Sequence, residues 1–167
     1  MRLFAAVRLS VEMKSALLQC QEEMRRQGVS GNFTRPENLH LTLAFIGETE
    51  RAAEARRALE GIRLPAFSMA LDGIGRFSSL WWAGIGENPS LQELARQAQE
   101  QLRAWGFSIE RRPFQPHITL VRQAVSSRPI RVQPPAALTQ VESLSLMCSQ
   151  RIQGRLVYSE VYQKRLF

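Results

Sequence analysis

The chain has 167 residues, 44% of them hydrophobic, which is enough to bury a core of ordinary size in one compact domain or two intimate lobes. No stretch approaches the roughly 20 apolar residues that cross a bilayer, and Arg8, Glu12 and Lys14 interrupt the opening segment too early for a signal peptide. We therefore expect no membrane partner and place the protein in the cytoplasm. Cys20 and Cys148 lie far apart and outside any C-x-x-C pattern, which argues against structural zinc and against a disulfide framework.

The net charge of +7 comes almost wholly from arginine, because Lys14 and Lys164 are the only lysines. Guanidinium groups match phosphate oxygens in pairs, so an arginine-rich surface suits a nucleotide or RNA partner. A high-GC genome that favours arginine codons would give the same bias, with side chains that only solvate the surface. Charge alone does not separate these two explanations.

The first half of the chain predicts strands and helices in alternation. Residues 2–9 indicate a strand, after which Ser10 can cap a helix whose apolar positions recur at helical spacing until Gly28. A loop leads into a second strand at 39–47, and a shorter helix is expected over 49–61. Hydrophobic alternation then predicts strands at 67–74 and 80–86, joined as a hairpin.

The second half continues this alternation. Ser90 and Glu93 have the spacing of a capping box, so we expect a helix that begins there and runs on to Gly106. A loop leads into a strand that begins at His117. The proline-rich segment 133–138 predicts a connection, and segments 141–150 and 155–167 predict a closing hairpin.

The two halves repeat one another. Each contains a strand, a serine-capped helix, a glycine-ended loop, Arg-Pro and a strand with H-x-T-L, and the only two histidines lie in RPENLHLTL and RPFQPHITL. Ser10 precedes His40 by 30 positions, and Ser90 precedes His117 by 27. Duplication predicts an α+β fold in which residues 1–167 form a single domain of two sheet-and-helix lobes, related by pseudo-twofold symmetry around a central cleft. Each lobe contributes one motif, at 40–43 and 117–120.

Residues two apart in a strand share a face, so His40 lies beside Thr42 and His117 beside Thr119. Either histidine alone would be interpreted as a structural residue, but the repeated frame favours a functional role. Two facing imidazoles can divide acid and base work near neutral pH, and a threonine hydroxyl can donate to an oxygen that gains negative charge. This constellation suits displacement at phosphorus. The chain has no P-loop, no H-E-x-x-H and no acidic cluster for a metal site, so we expect neither metal nor cofactor.

The segments NLHLTLAFIGE and RPFQPHITLVR, with the opening RLFAAVRL and the W-x-G at 82–84, resemble the 2H phosphoesterase superfamily. Within it, the chain is most similar to the RNA 2′,3′-cyclic phosphodiesterase family, also called 2′-5′ RNA ligase-like. The resemblance covers nearly the whole chain and implies a bilobal fold with both motifs in a central cleft. It also implies that His40 donates a proton to the leaving ribose oxygen and His117 accepts one from water, while Thr42 and Thr119 bind phosphate oxygens.

The implied reaction is hydrolysis of a 2′,3′-cyclic phosphate, on an RNA 3′ end or in a cyclic nucleotide, to a 2′-phosphate. The expected partners are such RNA ends or nucleotides, and a monomer is the expected state. Two alternatives remain open from the residues: an RNA-end binding module without turnover, and an enzyme that joins or cleaves 2′-5′ linked oligonucleotides.

Three further residues have roles that the pattern alone leaves open. The resemblance suggests that Arg122 holds a phosphate, yet strict alternation puts it on the face opposite His117, so a bulge or a strand end is required. Trp81 and Trp82 could offer a ring to a base. Because adjacent strand residues point to opposite faces, at least one of these tryptophans is expected in the core.

Overall fold

The structure, a computed structural model, describes residues 1–167. Its elements, in chain order, are β1 (Arg2–Arg8), α1 (Val11–Arg26), β2 (Ser30–Phe33), β3 (His40–Glu48), α2 (Ala52–Glu60), β4 (Phe67–Phe77), β5 (Leu80–Ile85), α3 (Pro89–Ala104), β6 (His117–Val125), β7 (Leu138–Val141), β8 (Ser143–Ile152) and β9 (Arg155–Arg165). A 3₁₀ turn at Pro36–Asn38 precedes β3. None of the helices has the length and apolar character that crossing a membrane requires.

The strands form two antiparallel sheets, one of four strands and one of five. Sheet A runs β3-β1-β8-β9, and sheet B runs β2-β6-β5-β4-β7. In each, the strand that carries the motif lies beside the strand that leads into a long helix: His40 pairs with Arg8 on β1, and His117 pairs with Gly84 on β5. The predicted α+β fold is confirmed, and the two motifs occupy corresponding corners of the two sheets.

The two long helices are exchanged between the sheets. Helix α1 follows β1 of sheet A but packs on β6 and β7 of sheet B, whereas α3 follows β5 of sheet B and packs on β3 of sheet A. Each sends a glutamine side chain to a motif strand. Gln21 donates to the carbonyl oxygen of Leu120 at 3.0 Å, and Gln99 donates to the carbonyl oxygen of Leu43 at 3.0 Å. One hydrophobic core therefore spans both sheets.

The start of α3 differs from the prediction. The capping box at Ser90 and Glu93 is wrong, because the N-cap is Asn88, whose side-chain oxygen accepts a hydrogen bond from the backbone N–H of Leu91 at 3.0 Å. Pro89 occupies the first helical position, where its fixed φ and missing N–H are tolerated. The capping residue must therefore precede the proline.

The corrected cap brings the repeat into register. Counted from Ser10 and Asn88, the two histidines follow after 30 and 29 residues, and Gln21 and Gln99 both follow after 11. The buried apolar positions of the two helices fall at shared offsets from their caps: Met13, Ala16, Leu17, Cys20 and Met24 in α1, and Leu91, Leu94, Ala95, Ala98 and Leu102 in α3. The duplication therefore extends to the packing of the helices.

The identity of the cap can be tested directly. Asn88→Ala is expected to lower the free energy of unfolding by about 1 kcal/mol, because it removes the bond to Leu91 and the bond that the Asn88 amide donates to the carbonyl oxygen of Ser68 at 2.7 Å. Ser90→Ala should change that free energy by less than about 0.5 kcal/mol, since alanine favours a helix interior. Urea unfolding of both variants measures the difference. A larger loss for Ser90→Ala would restore the capping box.

Two short strands were not predicted from the sequence. β2 and β7 have four residues each, lie at the two edges of sheet B and pair with β6 and β4. Four residues are too few for a periodic signal, and the segment SGNF is polar with a central glycine. Pairing with a neighbouring strand defines these elements. The other predicted strands and the hairpins are observed, and the predicted connection at 133–138 is observed up to residue 137, since Leu138 begins β7. Both cysteines are buried free thiols.

Candidate active site

The two histidines begin β3 and β6, and their rings are held in the same way. Nδ1 of His40 lies 2.7 Å from the carbonyl oxygen of Asn38, and Nδ1 of His117 lies 2.8 Å from the carbonyl oxygen of Gln115. A carbonyl only accepts hydrogen bonds, so Nδ1 carries the proton in both rings. In the neutral state each Nε2 is therefore left with its lone pair available for other partners.

The threonines lie where the alternation places them. The alternate residues Leu41, Leu43, Ile118 and Leu120 are buried, whereas the histidines and threonines remain partly exposed on the other face. We call the surface of the two sheets that carries these four polar residues the site face. On it, Thr42 Oγ1 lies 2.8 Å from Nε2 of His40.

A bulge brings Arg122 to the site face. The β5–β6 ladder has a register shift that leaves one extra residue of β6 between Thr119 and Val121. Leu120 and Val121 are consequently both buried, and the next residue, Arg122, returns to the side of His117 and is exposed. The structure therefore contains the bulge that we expected if Arg122 was to share a face with His117.

The first motif contains the same bulge. The β1–β3 ladder shifts register between Thr42 and Ala44, so Leu43 and Ala44 are both buried. The next residue, Phe45, is 66% exposed, an unusual exposure for a phenylalanine, and its ring centroid is 6.2 Å from that of Phe4. Phe45 thus occupies the position in sheet A that Arg122 occupies in sheet B. Sequence reasoning missed it, although its place three residues after the motif threonine was readable.

The two motifs act on one another electrostatically. Burial is the main reason that the pKa of His40 lies below its ordinary value; the bond to the Asn38 carbonyl raises it, and the charges of Arg122 and His117 lower it further. His117 and Arg122 belong to sheet B, whereas His40 belongs to sheet A. The structure therefore brings residues of both lobes into one electrostatic unit, and β3 and β6 are in contact.

Each histidine packs beside a pair of aromatic rings. The rings of Phe4 and Tyr158 are centred 5.0 and 5.1 Å from His40, and those of Phe77 and Trp82 are centred 5.6 and 6.2 Å from His117. Burial also raises the pKa of the Tyr158 phenol, which is therefore protonated at neutral pH and can donate a hydrogen bond. These rings limit where a ligand can approach each imidazole.

The two tryptophans divide as the alternation required. Trp81 packs against the core, and Trp82 lies on the site face beside His117. The Trp82 ring lies flat over Gly75, where an added Cβ would come within 2.1 Å of the ring, so no larger residue fits beneath it. The Trp82 indole N–H is buried without an acceptor. Trp81 is only half-buried, so the structure places it on the core face but not among the fully buried core residues.

Comparison with known proteins identifies the family. The family model for LigT-like phosphoesterases matches residues 7–81 and 85–158, so that each matched segment contains one H-x-T motif. The chain belongs to the LigT-like phosphoesterase family. The resemblance inferred from the motifs is thereby confirmed, and the repeated sheets are those of a LigT-like phosphoesterase.

Relatives and solved structures agree with this membership. The RNA 2′,3′-cyclic phosphodiesterase of Escherichia coli (strain K12) is 34% identical, over 95% of this chain and 92% of that protein. The enzyme of the same name from Geobacillus stearothermophilus is 33% identical over 87% of this chain, which spans about half (48%) of that relative's length. Crystal structures of E. coli LigT, in apo form and complexed with 3′-AMP, superpose with TM-scores of 0.85 and 0.86 at 32% and 31% identity. Each superposition covers 99% of this chain, together with 96% of the apo chain and 97% of the chain complexed with 3′-AMP.

Proposed function

We propose that this protein hydrolyses 2′,3′-cyclic phosphodiesters, on RNA 3′ ends or in cyclic nucleotides, to 2′-phosphomonoesters by paired-histidine acid–base catalysis. The observation that carries the proposal is the matched pair of imidazoles, each with Nδ1 bonded to a backbone carbonyl and with Nε2 facing the site face, where that of His40 accepts from the Thr42 hydroxyl. Membership of the LigT-like phosphoesterase family supports cyclic phosphodiester hydrolysis. So do the relatives named RNA 2′,3′-cyclic phosphodiesterase.

In the proposed mechanism the two histidines have opposite tasks. Neutral His117 accepts a proton from water at Nε2 as the water oxygen attacks phosphorus. The bond from phosphorus to the ribose 3′ oxygen breaks, and His40 donates its Nε2 proton to that oxygen. Thr42 and Thr119 donate hydrogen bonds to the non-bridging oxygens, and Arg122 balances their charge. Acid and base both come from side chains, so the step uses no metal ion or cofactor.

The lowered pKa of His40 is compatible with a role as the acid. A bound phosphodiester brings negative charge beside an imidazole whose pKa is depressed by burial and by Arg122, and that charge favours the protonated form. In this form Nε2 becomes a donor and no longer accepts from Thr42, whose hydroxyl is then released toward the phosphate. We infer that substrate binding charges His40.

Both histidines come from one chain, on two lobes joined by exchanged helices, which supports a single-domain protein that needs no second copy for its site. We propose that the protein acts as a monomer. The arginine-rich surface supports binding of an RNA end in addition to a free nucleotide.

Phe45 is proposed to stack on the terminal base, because it is an exposed ring at the site-face position that corresponds to Arg122. Phe45→Ala should lower kcat/KM on 2′,3′-cyclic AMP by about tenfold, mainly through KM, since stacking contributes about 1–3 kcal/mol per base. Phe45→Tyr keeps the ring and should retain most of this activity. A cyclic phosphate of ribose without a base provides the control, since its turnover should not change; an equal loss on that compound would exclude stacking.

The proposed function is tested by incubating the purified protein with 2′,3′-cyclic AMP in excess EDTA and separating 2′-AMP from 3′-AMP by chromatography. Accumulation of 2′-AMP alone is expected. Accumulation of 3′-AMP would mean that the other ribose oxygen leaves. Binding of an RNA end that weakens with salt, without any product, would instead identify a binding module, and faster cleavage of 2′-5′ linked oligonucleotides would identify the other alternative.

A further inference from the structure

A basic cavity lies on the opposite side of the β4–β5 hairpin from the two motifs. It has a volume of about 540 Å³ and is bounded by the hairpin end and the segment that follows β6. Its lining includes Arg76, Trp81, Arg128 and Ile130, and it contains no acidic residue. Neither arginine takes part in an ion pair, so both guanidinium groups are available to an anion.

The hairpin connects this cavity to the candidate active site. Phe77 and Trp82 project to the site face beside His117. Their chain neighbours Arg76 and Trp81 project to the other face, where the Arg76 guanidinium lies 5.5 Å from the centre of the Trp81 ring. The two faces of one hairpin thus carry the aromatic wall of the site and the basic wall of the cavity. The end of the hairpin therefore lies between the site and the cavity.

We propose that this cavity binds the nucleotide immediately upstream of the RNA end whose cyclic phosphate occupies the site. Arg76 and Arg128 would contact its phosphate, and Trp81 with Ile130 would contact its sugar or base. The size suits one nucleotide, since small-ligand pockets span about 300–1,000 Å³. This inference rests on the proposed function and makes RNA, and not a free cyclic nucleotide, the preferred substrate.

The test compares 2′,3′-cyclic AMP with the dinucleotide ApA that carries the same terminal cyclic phosphate. The wild-type protein should show the higher kcat/KM on the dinucleotide. The double variant Arg76→Ala with Arg128→Ala should lose about tenfold on the dinucleotide, as expected for charge-assisted hydrogen bonds, with less than about twofold change on the mononucleotide. Its dependence on salt should also become weaker, because fewer counterions are released.

A double variant of Arg57→Ala with Arg165→Ala removes the same charge from two exposed arginines outside the cavity and should behave as the wild type on both substrates. Equal losses on both substrates, equal losses in this control, or no preference of the wild type for the dinucleotide would overturn the proposal. If the wild-type protein hydrolysed neither substrate, the proposed function would be overturned instead, so the two failures are distinguishable.

An independent observation concerns the two exchanged glutamines. Gln99 donates to the carbonyl oxygen of Leu43, and Gln21 donates to that of Leu120. Leu43 and Leu120 are the extra residues of the two bulges. The bulges return Phe45 and Arg122 to the site face, and a bulge interrupts the hydrogen bonds of its own ladder. Each helix therefore holds the bulge of the opposite lobe with one side-chain amide.

We infer that Gln21 positions Arg122 and that Gln99 positions Phe45. Gln21→Met keeps the length of the side chain but removes the amide donor, so kcat/KM should fall about tenfold through misplacement of the guanidinium. Combined with Arg122→Ala, it should cost little more than Arg122→Ala alone, because the residue that it positions is already absent.

Gln99→Met should show the same lack of additivity with Phe45→Ala but should add fully to Arg122→Ala. Gln21 also donates to the carbonyl oxygen of Thr34 at 2.8 Å, so the two glutamines are compared by their coupling to each partner and not by the size of the single-variant losses. Four double variants combine Gln21→Met or Gln99→Met with Arg122→Ala or Phe45→Ala. Additive losses in all four would show that the amides only stabilise the fold. Equal coupling of each glutamine to both partners would show the same. Either result would overturn the inference.

Discussion

His117→Ala is expected to lower kcat/KM on 2′,3′-cyclic AMP by about 10³-fold or more, which would be the largest effect of any single substitution outside the core. General base catalysis contributes about 10²–10⁴-fold. No other side chain on the site face beside Thr119 could replace His117 as the base. The half-buried ring contacts Phe77 and Trp82 but contributes little to the core, so the variant should fold. Steady-state kinetics measures the loss, and circular dichroism checks the fold.

His40→Ala should lose activity to a similar degree but for a different reason, because its task is to protonate the leaving oxygen. A diester with p-nitrophenolate as its leaving group needs little protonation. On that substrate His40→Ala should therefore recover much of its rate, whereas His117→Ala should not. Equal recovery of both variants would contradict the assignment of acid and base, and recovery of His117→Ala alone would reverse it.

Arg122→Ala is expected to have the largest effect after those of the two histidines, a loss of about 10²-fold in kcat/KM, as is typical when one charge-stabilising donor is removed. The guanidinium has no carboxylate partner in the chain. Its charge acts on both His40 and Tyr158, since it lowers the pKa of His40 further and opposes the rise that burial causes in the pKa of Tyr158. A phosphate on the site face would be its natural counterion. Arg122→Lys keeps the charge but not the two-pronged geometry, so it should retain an intermediate activity.

The same substitution should also move the pH profile in one direction. In the proposed mechanism the activity falls with rising pH as His40 loses the proton that it donates. Because burial and Arg122 lower the pKa of His40, the falling limb of kcat/KM should lie below the ordinary histidine value of about 6.5. Arg122→Ala removes one cause of that lowering, so the falling limb should move to higher pH.

Arg122→Lys should leave the falling limb close to its wild-type position, because the positive charge remains. These profiles need only kcat/KM of the free enzyme at low substrate concentration. A falling limb that stays in place in Arg122→Ala would mean that the titrating group is not His40.

Much of this protein was readable from the sequence because the relevant signals are local. The spacing in H-x-T-L places imidazole and hydroxyl on one face through the period of a strand, and Ser10 begins α1 through a hydrogen bond to a residue three positions away. The hairpins were predicted from local signals of the same kind. The repeated frame around His40 and His117 was enough to identify a two-histidine family, since both motifs are short and continuous.

The exceptions arise where a distant partner decides the outcome. β2 and β7 exist because a neighbouring strand pairs with them. The cap of α3 is a different case, because its signal is local: Pro89 takes the first helical position, so the cap is the residue before it, Asn88. The site-face positions of Phe45 and Arg122 depend on two bulges whose carbonyls bind glutamines from the opposite lobe, and the lowered pKa of His40 depends on burial and on charges from sheet B. Strand periodicity is set by covalent geometry, and the sequence carries it; bulges, edge strands and electrostatic coupling require contacts between segments far apart in the chain, and only the tertiary structure brings them together.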